Sequence, residues 1–356
     1  MSMIVADSQK VQDYASKVSN IIYDTANYET EVLFYLTQHC NLVCDGCYMQ
    51  AGPDVPRNTL PVSDLSFYLS EFDKVPNFTH GVVFSGGEVF SAPINYVEAA
   101  AHNVLDRGWQ LQFKTNGSWI QNPQKRDAVV AMLGRLQPHR GLCATEDEVL
   151  QFLQRIPKPI ARVLGPKILE MWMYHKLPTT SMLDMAVSVD DLLHPAKSAQ
   201  WFADIAELIT SNRRLRNKVN LKTFTLNESA EFFENYVLGN PQLGATNVVR
   251  AKNKNALRYD INGCQAEAYF GDYVDVGKVS PVDKLSNIVM PSLGDSAGRL
   301  VYCFYPDKTV GFDCYYLESV GRVPYVDGQG RRKSFARLQR DMYTQLVLDY
   351  ARAISK

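Results

Sequence analysis

The chain reads as an α/β protein built on a parallel sheet. Strand-like apolar runs alternate with stretches of helical periodicity, and the segments between successive strands are long enough for helical crossovers. The composition, 46% hydrophobic and 21% charged over 356 residues, is that of an ordinary soluble globular protein. That length suits one large α/β barrel, alone or with a small appendage.

The elements follow in order. Strand one is TEVLFYLT (30–37). A helix at about 63–75 starts where Ser63 or Asp64 can cap VSDLSFYLSEF. Strand two is HGVVFSGG (80–87), and the next helix is INYVEAAAHNVLDR (94–107), with Gly108 placed to end it. WQLQFKTNG (109–117), MAVSVD (185–190), NLKTFTLN (220–227) and NVVRAK (247–252) read as strands three to six. The chain closes with FARLQRDMYTQLVLDYARAI (335–354). Its apolar positions 335, 338, 342 and 346 predict a one-sided helix docked on the barrel.

Two regions exceed this pattern. Residues 118–184 separate strands three and four, where a crossover needs only about a dozen. The stretches EDEVLQFLQRI (146–156) and PKILEMWMYHK (166–176) make this region a helical insertion. It leaves from the C-terminal end of strand three, the rim where barrel active sites form. It either covers the substrate opening or is an outer decoration. The second region, 256–356, reads as a small α+β extension. It contains a hairpin, CFYPDKTVGFDC, turning at Pro306-Asp307. Residues 1–29 form an N-terminal segment before the barrel region, 30–255.

Net charge is −1, which excludes a strongly basic nucleic-acid or membrane-surface protein. The runs RRLR (213–216) and RRK (331–333) read as solvated helix ends. No 18-residue apolar run and no N-terminal signal core are present, so a cytoplasmic protein without a membrane span is expected. Seven cysteines in that setting read as reduced thiols and cluster ligands, not disulfides.

The densest chemical signal is HCNLVCDGCY, directly after strand one. It spaces Cys40, Cys44 and Cys47 as C-x3-C-x2-C. A [4Fe–4S] cube has four irons, usually on thiolates, so three cysteines leave one iron open. A closed structural zinc site would normally show two pairs of ligands. Further along, VVFSGGEVF (82–90), FKTNG (113–117) and VSVDD (187–191) each fall at a strand end.

These four motifs, in this order after strands, resemble the radical S-adenosylmethionine (radical SAM) superfamily over roughly residues 28–255. One position departs. The family usually has an aromatic residue before the third cysteine; this chain has Gly46, and Tyr48 is the candidate to take over its packing near the adenine. The resemblance implies a partial (β/α)6, TIM-like barrel. It implies that Cys40, Cys44 and Cys47 hold a [4Fe–4S] cluster whose open iron chelates S-adenosylmethionine. An electron from an external reductant of the flavodoxin or ferredoxin type then cleaves the C5′–S bond. The resulting 5′-deoxyadenosyl radical abstracts hydrogen from the substrate.

The same resemblance suggests roles for the strand ends. Gly86 and Gly87 let the backbone approach the methionyl end, and Glu88 accepts a hydrogen bond from its ammonium. Thr115 and Asn116 stand near the nucleoside or carboxylate, and Ser188 and Asp190 near the ribose hydroxyls or carboxylate. Arg250 reads as a structural ion pair or a carboxylate partner. His39 is either packed or at the cluster edge, and His194 follows VSVDD closely enough to face a substrate.

Cys303 and Cys314 flank the C-terminal hairpin, which resembles the start of the SPASM and twitch auxiliary-cluster domains. With Cys264 they either hold a second Fe–S cluster or are buried core thiols. Cys143 reads as a core or surface thiol. The short segment before strand one favours a small-molecule substrate, such as a sugar, nucleoside or amino-acid-derived intermediate. The outcome would be net oxidation, rearrangement or epimerisation. The alternatives are a peptide- or protein-modifying maturase and a non-catalytic iron–sulfur protein that binds S-adenosylmethionine.

Overall fold

The computed structural model describes residues 8–23, 28–44, 47, 49–137, 157–160, 183–192, 194–195, 197–216, 218–250, 256–262, 264–271, 298–313 and 319–355. Its strands are β1 (Tyr28–Thr37), β2 (Phe78–Gly86), β3 (Gln110–Thr115), β4 (Leu183–Ser188), β5 (Val219–Leu226), β6 (Thr246–Arg250), β7 (Ala256–Ile261), β8 (Cys264–Gly271), β9 (Gly298–Phe304), β10 (Thr309–Asp313) and β11 (Ser319–Pro324). They form one 11-stranded sheet in the order β11-β10-β9-β1-β2-β3-β4-β5-β8-β7-β6. The run from β9 through β1–β5 to β8 is parallel. Antiparallel strands extend it at both edges. The chain is therefore α/β with a parallel-dominated sheet.

Side chains two apart share a sheet face, and that period sets the layers. From β1, Val32, Phe34 and Leu36 enter the main core, while Leu33 and Tyr35 join a smaller cluster on the opposite face. Phe84 of β2, Phe113 of β3 and Met185 of β4 continue the main core. Four helices bury apolar side chains in it: α2 (Val62–Phe72), α3 (Ile94–Leu105), α4 (Pro123–Arg135) and α5 (Ser198–Ser211). Each buried Leu or Phe in such a layer contributes about 1.5–3 kcal/mol. On the opposite face the strands carry polar groups. Asp184 accepts from Gln110 Nε2 (2.7 Å) and Asn220 Nδ2 (3.0 Å) and pairs with Lys222 Nζ (2.7 Å).

The closing helix α6 (Phe335–Ile354) buries Phe335, Leu338, Met342 and Leu346, the four positions its periodicity predicted. The first helix, α1 (Ser8–Tyr23), lies within the 1–29 segment and packs on α6, with Tyr14 and Tyr350 stacked at 4.0 Å.

Several expectations are corrected. The strand at 247–252 is not the sixth parallel strand. β6 lies at the sheet edge, antiparallel to β7, and all five of its residues are exposed, so no burial draws it inward. β8 takes the place beside β5, its inward positions being the small Ala266 and Ala268. Small inward residues gave β8 a weak apolar signal. Strands β7 to β11 lie in the same sheet as β1 to β5. Helix α2 begins after Pro61. Ser63 and Asp64 sit inside its first turn and bind Arg332, and Lys333 pairs with Asp341 (2.9 Å), while Arg331 is exposed. The predicted turn at Pro306-Asp307 does join β9 to β10. The expected helices at 146–156 and 166–176 lie outside the described residues, as does any lid they would form.

Candidate cofactor site at the strand ends

Parallel neighbours end at the same rim, so the C-terminal ends of β1 to β4 bring the four motifs together. The cysteine loop leaves β1 at Thr37. Backbone bonds fasten its start on both sides. Gly87 N donates to Thr37 O (2.8 Å), Glu88 N donates to His39 O (3.0 Å), and Cys40 N donates to Gly52 O (3.1 Å). Ser91 Oγ adds a fourth bond, to His39 O (2.9 Å).

This fastening explains the glycine pair. A Cβ on Gly86, whose φ is +141°, would lie 2.2 Å from Thr37 O. A Cβ on Gly87 would lie 2.4 Å from His39 O and 2.7 Å from Gln38 O. The glycines admit the protein's own backbone at these two positions.

Glu88 lies at the same junction, its backbone N–H on His39 O. Its carboxylate is buried at 2% exposure and is engaged by the protein. Oε1 accepts from Phe90 N (3.0 Å) and Thr115 Oγ1 (2.7 Å), and Oε2 accepts from Asn116 N (2.7 Å). Burial raises its pKa, opposed by the three hydrogen bonds and the charge of Lys125. Thr115 Oγ1 in turn accepts from Gly117 N (3.1 Å). Glu88 therefore joins the end of β2 to the end of β3.

From β3 the network returns to the cysteine loop. Asn116 Oδ1 accepts from Ser118 N (2.9 Å) and Ser118 Oγ (2.7 Å). Its Nδ2 donates to Asn41 Oδ1 (3.2 Å) and to Cys40 Sγ (3.6 Å). Asn41 Nδ2 closes the ring on Ser118 Oγ (2.7 Å). Cys40 Sγ also accepts from Leu42 N (3.4 Å). Burial pushes the Cys40 thiol up to about 12, aided by the charges of Glu88, Cys44 and Cys47 and opposed by the Leu42 N–H. Sequence reasoning missed Asn41, Ser91 and Ser118. The available signal was their adjacency to the motifs: each is a polar residue within three positions of one.

At the end of β4, Asp190 is buried and committed to its own loop. Oδ1 accepts from Leu192 N (3.1 Å) and His194 N (3.0 Å), and Oδ2 meets His194 Nδ1 at 2.6 Å. It orients His194. Ser188, the last residue of β4, is half-buried beside Phe224. His39 is buried, and its Nε2 accepts from Arg57 Nε (3.4 Å). Burial and the Arg57 charge hold its pKa below the usual range. Arg250 forms an exposed pair with Glu234 (3.7 Å), away from these strand ends.

Cys264 opens β8 and Cys303 lies in β9, with β1 to β5 between them in the strand order. Cys303 is fully buried in the small cluster with Leu33, Tyr35, Cys40, Met49 and Tyr305. Cys143, Cys314, Gly46 and Tyr48 lie outside the described residues.

Among the described residues, no three His, Cys, Asp or Glu side chains converge as a formed metal site. The donor set nevertheless fits an iron–sulfur cluster. Three thiols share one loop, two are partly exposed, and the buried one receives N–H···S contacts of the kind that tune cluster thiolates. Among the described residues, no helix is long and apolar enough to cross a membrane.

No protein-family model matches the chain, and neither does any curated protein. Solved structures with similarity include Streptococcus suis SuiB bound to precursor peptide SuiA (TM-score 0.37, 12% identity, 86% of this chain and 64% of that one). Others are SuiB bound to S-adenosylmethionine (0.37, 12%, 93% and 69%) and native anSMEcpe with bound AdoMet and Cp18Cys peptide (0.22, 11%, 55% and 50%). The chain thus spans less than two thirds of the peptide-bound SuiB chain it matches.

Proposed function

We propose that this chain is a radical SAM enzyme on a partial-barrel variant of the α/β fold. One observation carries the reading. The three-cysteine loop is tied, through Gly87, Glu88 and Asn116, to the ends of the next two parallel strands. Three of the four motifs, far apart in sequence, thereby become one hydrogen-bonded unit.

Cys40, Cys44 and Cys47 would hold the cluster. When bound, a [4Fe–4S] cluster with an open iron supplies the low-potential electron that cleaves S-adenosylmethionine, given an external one-electron reductant. The chain's own residues position and shield. Gly87, Ser91 and Gly52 fix the loop, Glu88 fixes the β3 end, and Asp190 orients His194. Ser188 and Tyr48 remain the proposed contacts for the nucleoside.

For the substrate we take a peptide ahead of a small molecule. The observation favouring it is the sheet edge that β6 forms among the described residues. Every residue of β6 is exposed, including Val248 and Val249, and such an edge can take an extended peptide by strand addition. SuiB and anSMEcpe are also peptide-bound in the structures named above, at TM-scores too low to carry their substrates over.

The test is anaerobic reconstitution of the native protein and a Cys40/Cys44/Cys47→Ala variant. The native chain should take up about four irons. With dithionite and S-adenosylmethionine it should release 5′-deoxyadenosine, and the variant should do neither. A native chain that binds no iron, or binds it and never cleaves S-adenosylmethionine, overturns the reading. A variant that keeps about four irons would place a cluster elsewhere.

A further inference from the structure

We infer that Asn116 is a positioning residue for the cluster: its side-chain amide donates an N–H···S hydrogen bond to the Cys40 thiolate and raises the cluster's reduction potential. The inference rests on the proposed function and adds a role for one side chain.

Three features carry it. First, the amide orientation is determined by its partners. Oδ1 accepts from the Ser118 backbone N–H at 2.9 Å, and a backbone N–H only donates, so the NH2 end must face Cys40 Sγ and Asn41 Oδ1. Second, the amide is held from behind. The Asn116 backbone N–H donates to Glu88 Oε2 at 2.7 Å, and that carboxylate is itself buried. Third, Cys40 and Asn116 are both buried, at 6% and 6% exposure, so water screens the contact little.

A donor aimed at a thiolate sulfur favours the state carrying more negative charge. The reduced cluster carries one electron more than the oxidised cluster, so the bond stabilises the reduced form and the potential rises. The proton stays on the amide nitrogen throughout. In the test below, dithionite supplies the electron.

The experiment is an electron paramagnetic resonance redox titration of reconstituted native, Asn116→Asp and Ser118→Ala proteins, with iron content measured on each. Asp keeps the acceptor for Ser118 N–H, removes the donor and sets a carboxylate by the sulfur. The bond is made in both redox states, and its strengthening on reduction is what moves the midpoint, so N116D should shift the midpoint negative. S118A removes one of the two bonds that Asn116 Oδ1 accepts and should shift it in the same direction by less. An iron-loaded N116D at the native midpoint overturns the inference and leaves Asn116 a loop fastener. If N116D takes up no iron, S118A decides: a negative shift supports the role and an unchanged midpoint overturns it. A native protein without iron instead overturns the proposed function.

Discussion

Replacing Gly87 by alanine tests the architecture of the site without any cofactor. The new methyl would lie 2.4 Å from His39 O, 2.6 Å from His39 C and 2.7 Å from Gln38 O. All three atoms are backbone, so no side chain can swing aside to make room. The loop must move, and with it go the bonds from Gly87 N to Thr37 O and from Glu88 N to His39 O. Each net backbone bond is worth about 1 kcal/mol, and forced overpacking costs about 1–3 kcal/mol. The expected loss is therefore about 3–5 kcal/mol, or about 1–1.7 M in the urea midpoint at a slope of ~3 kcal/mol/M. The assay is urea unfolding of the metal-free protein followed by circular dichroism. A G87A protein that melts with the native chain would refute the claim that this glycine exists to admit the β1 backbone. Under the proposed function the same variant should also lose iron uptake, because its displaced segment carries Cys40.

Three further outcomes are expected. Gly134 lies in α4, where an added Cβ would meet nothing within 4 Å, so Gly134→Ala should stabilise by about 0.5–1 kcal/mol, and a loss in the same urea assay would contradict this. In the metal-free protein, iodoacetamide should alkylate Cys44 and Cys47, which are partly exposed, well before Cys40 and Cys303, which are buried; mass spectrometry with Cys40 labelled first would show the loop arranged otherwise. Glu71 receives Lys74 Nζ (2.6 Å) and the first N–H of α6, from Phe335 (2.9 Å), and these bonds hold its pKa below the ordinary value of 4.5. Its contribution is therefore full above that ordinary value and is lost as pH falls through the lowered one. Glu71→Gln should cost about 0.5–1.5 kcal/mol at neutral pH, and parallel native and variant stability curves between neutral and acid pH would refute the linkage.

The sequence by itself determined what is local. Strand-like apolar runs marked β1 to β5, because a strand of a parallel sheet covered on both faces is apolar along its length. The stripe Phe335, Leu338, Met342 and Leu346 marked the buried side of α6, because helical neighbours recur every three to four residues. The cysteine spacing marked the cofactor loop, since all three candidate ligands lie within one short segment. Only the tertiary structure decided what depends on distant partners. It placed β8 beside β5 and sent β6 to the edge, a choice made by burial across the sheet and hidden by small alanines. It turned Gly86, Gly87 and Glu88 toward the protein's own backbone, and it set Asn116 on Cys40, 76 positions away in sequence. A hydrogen bond is directional and short, so which of a motif's polar atoms remain for a ligand depends on which chain segments fold within about 3 Å of them.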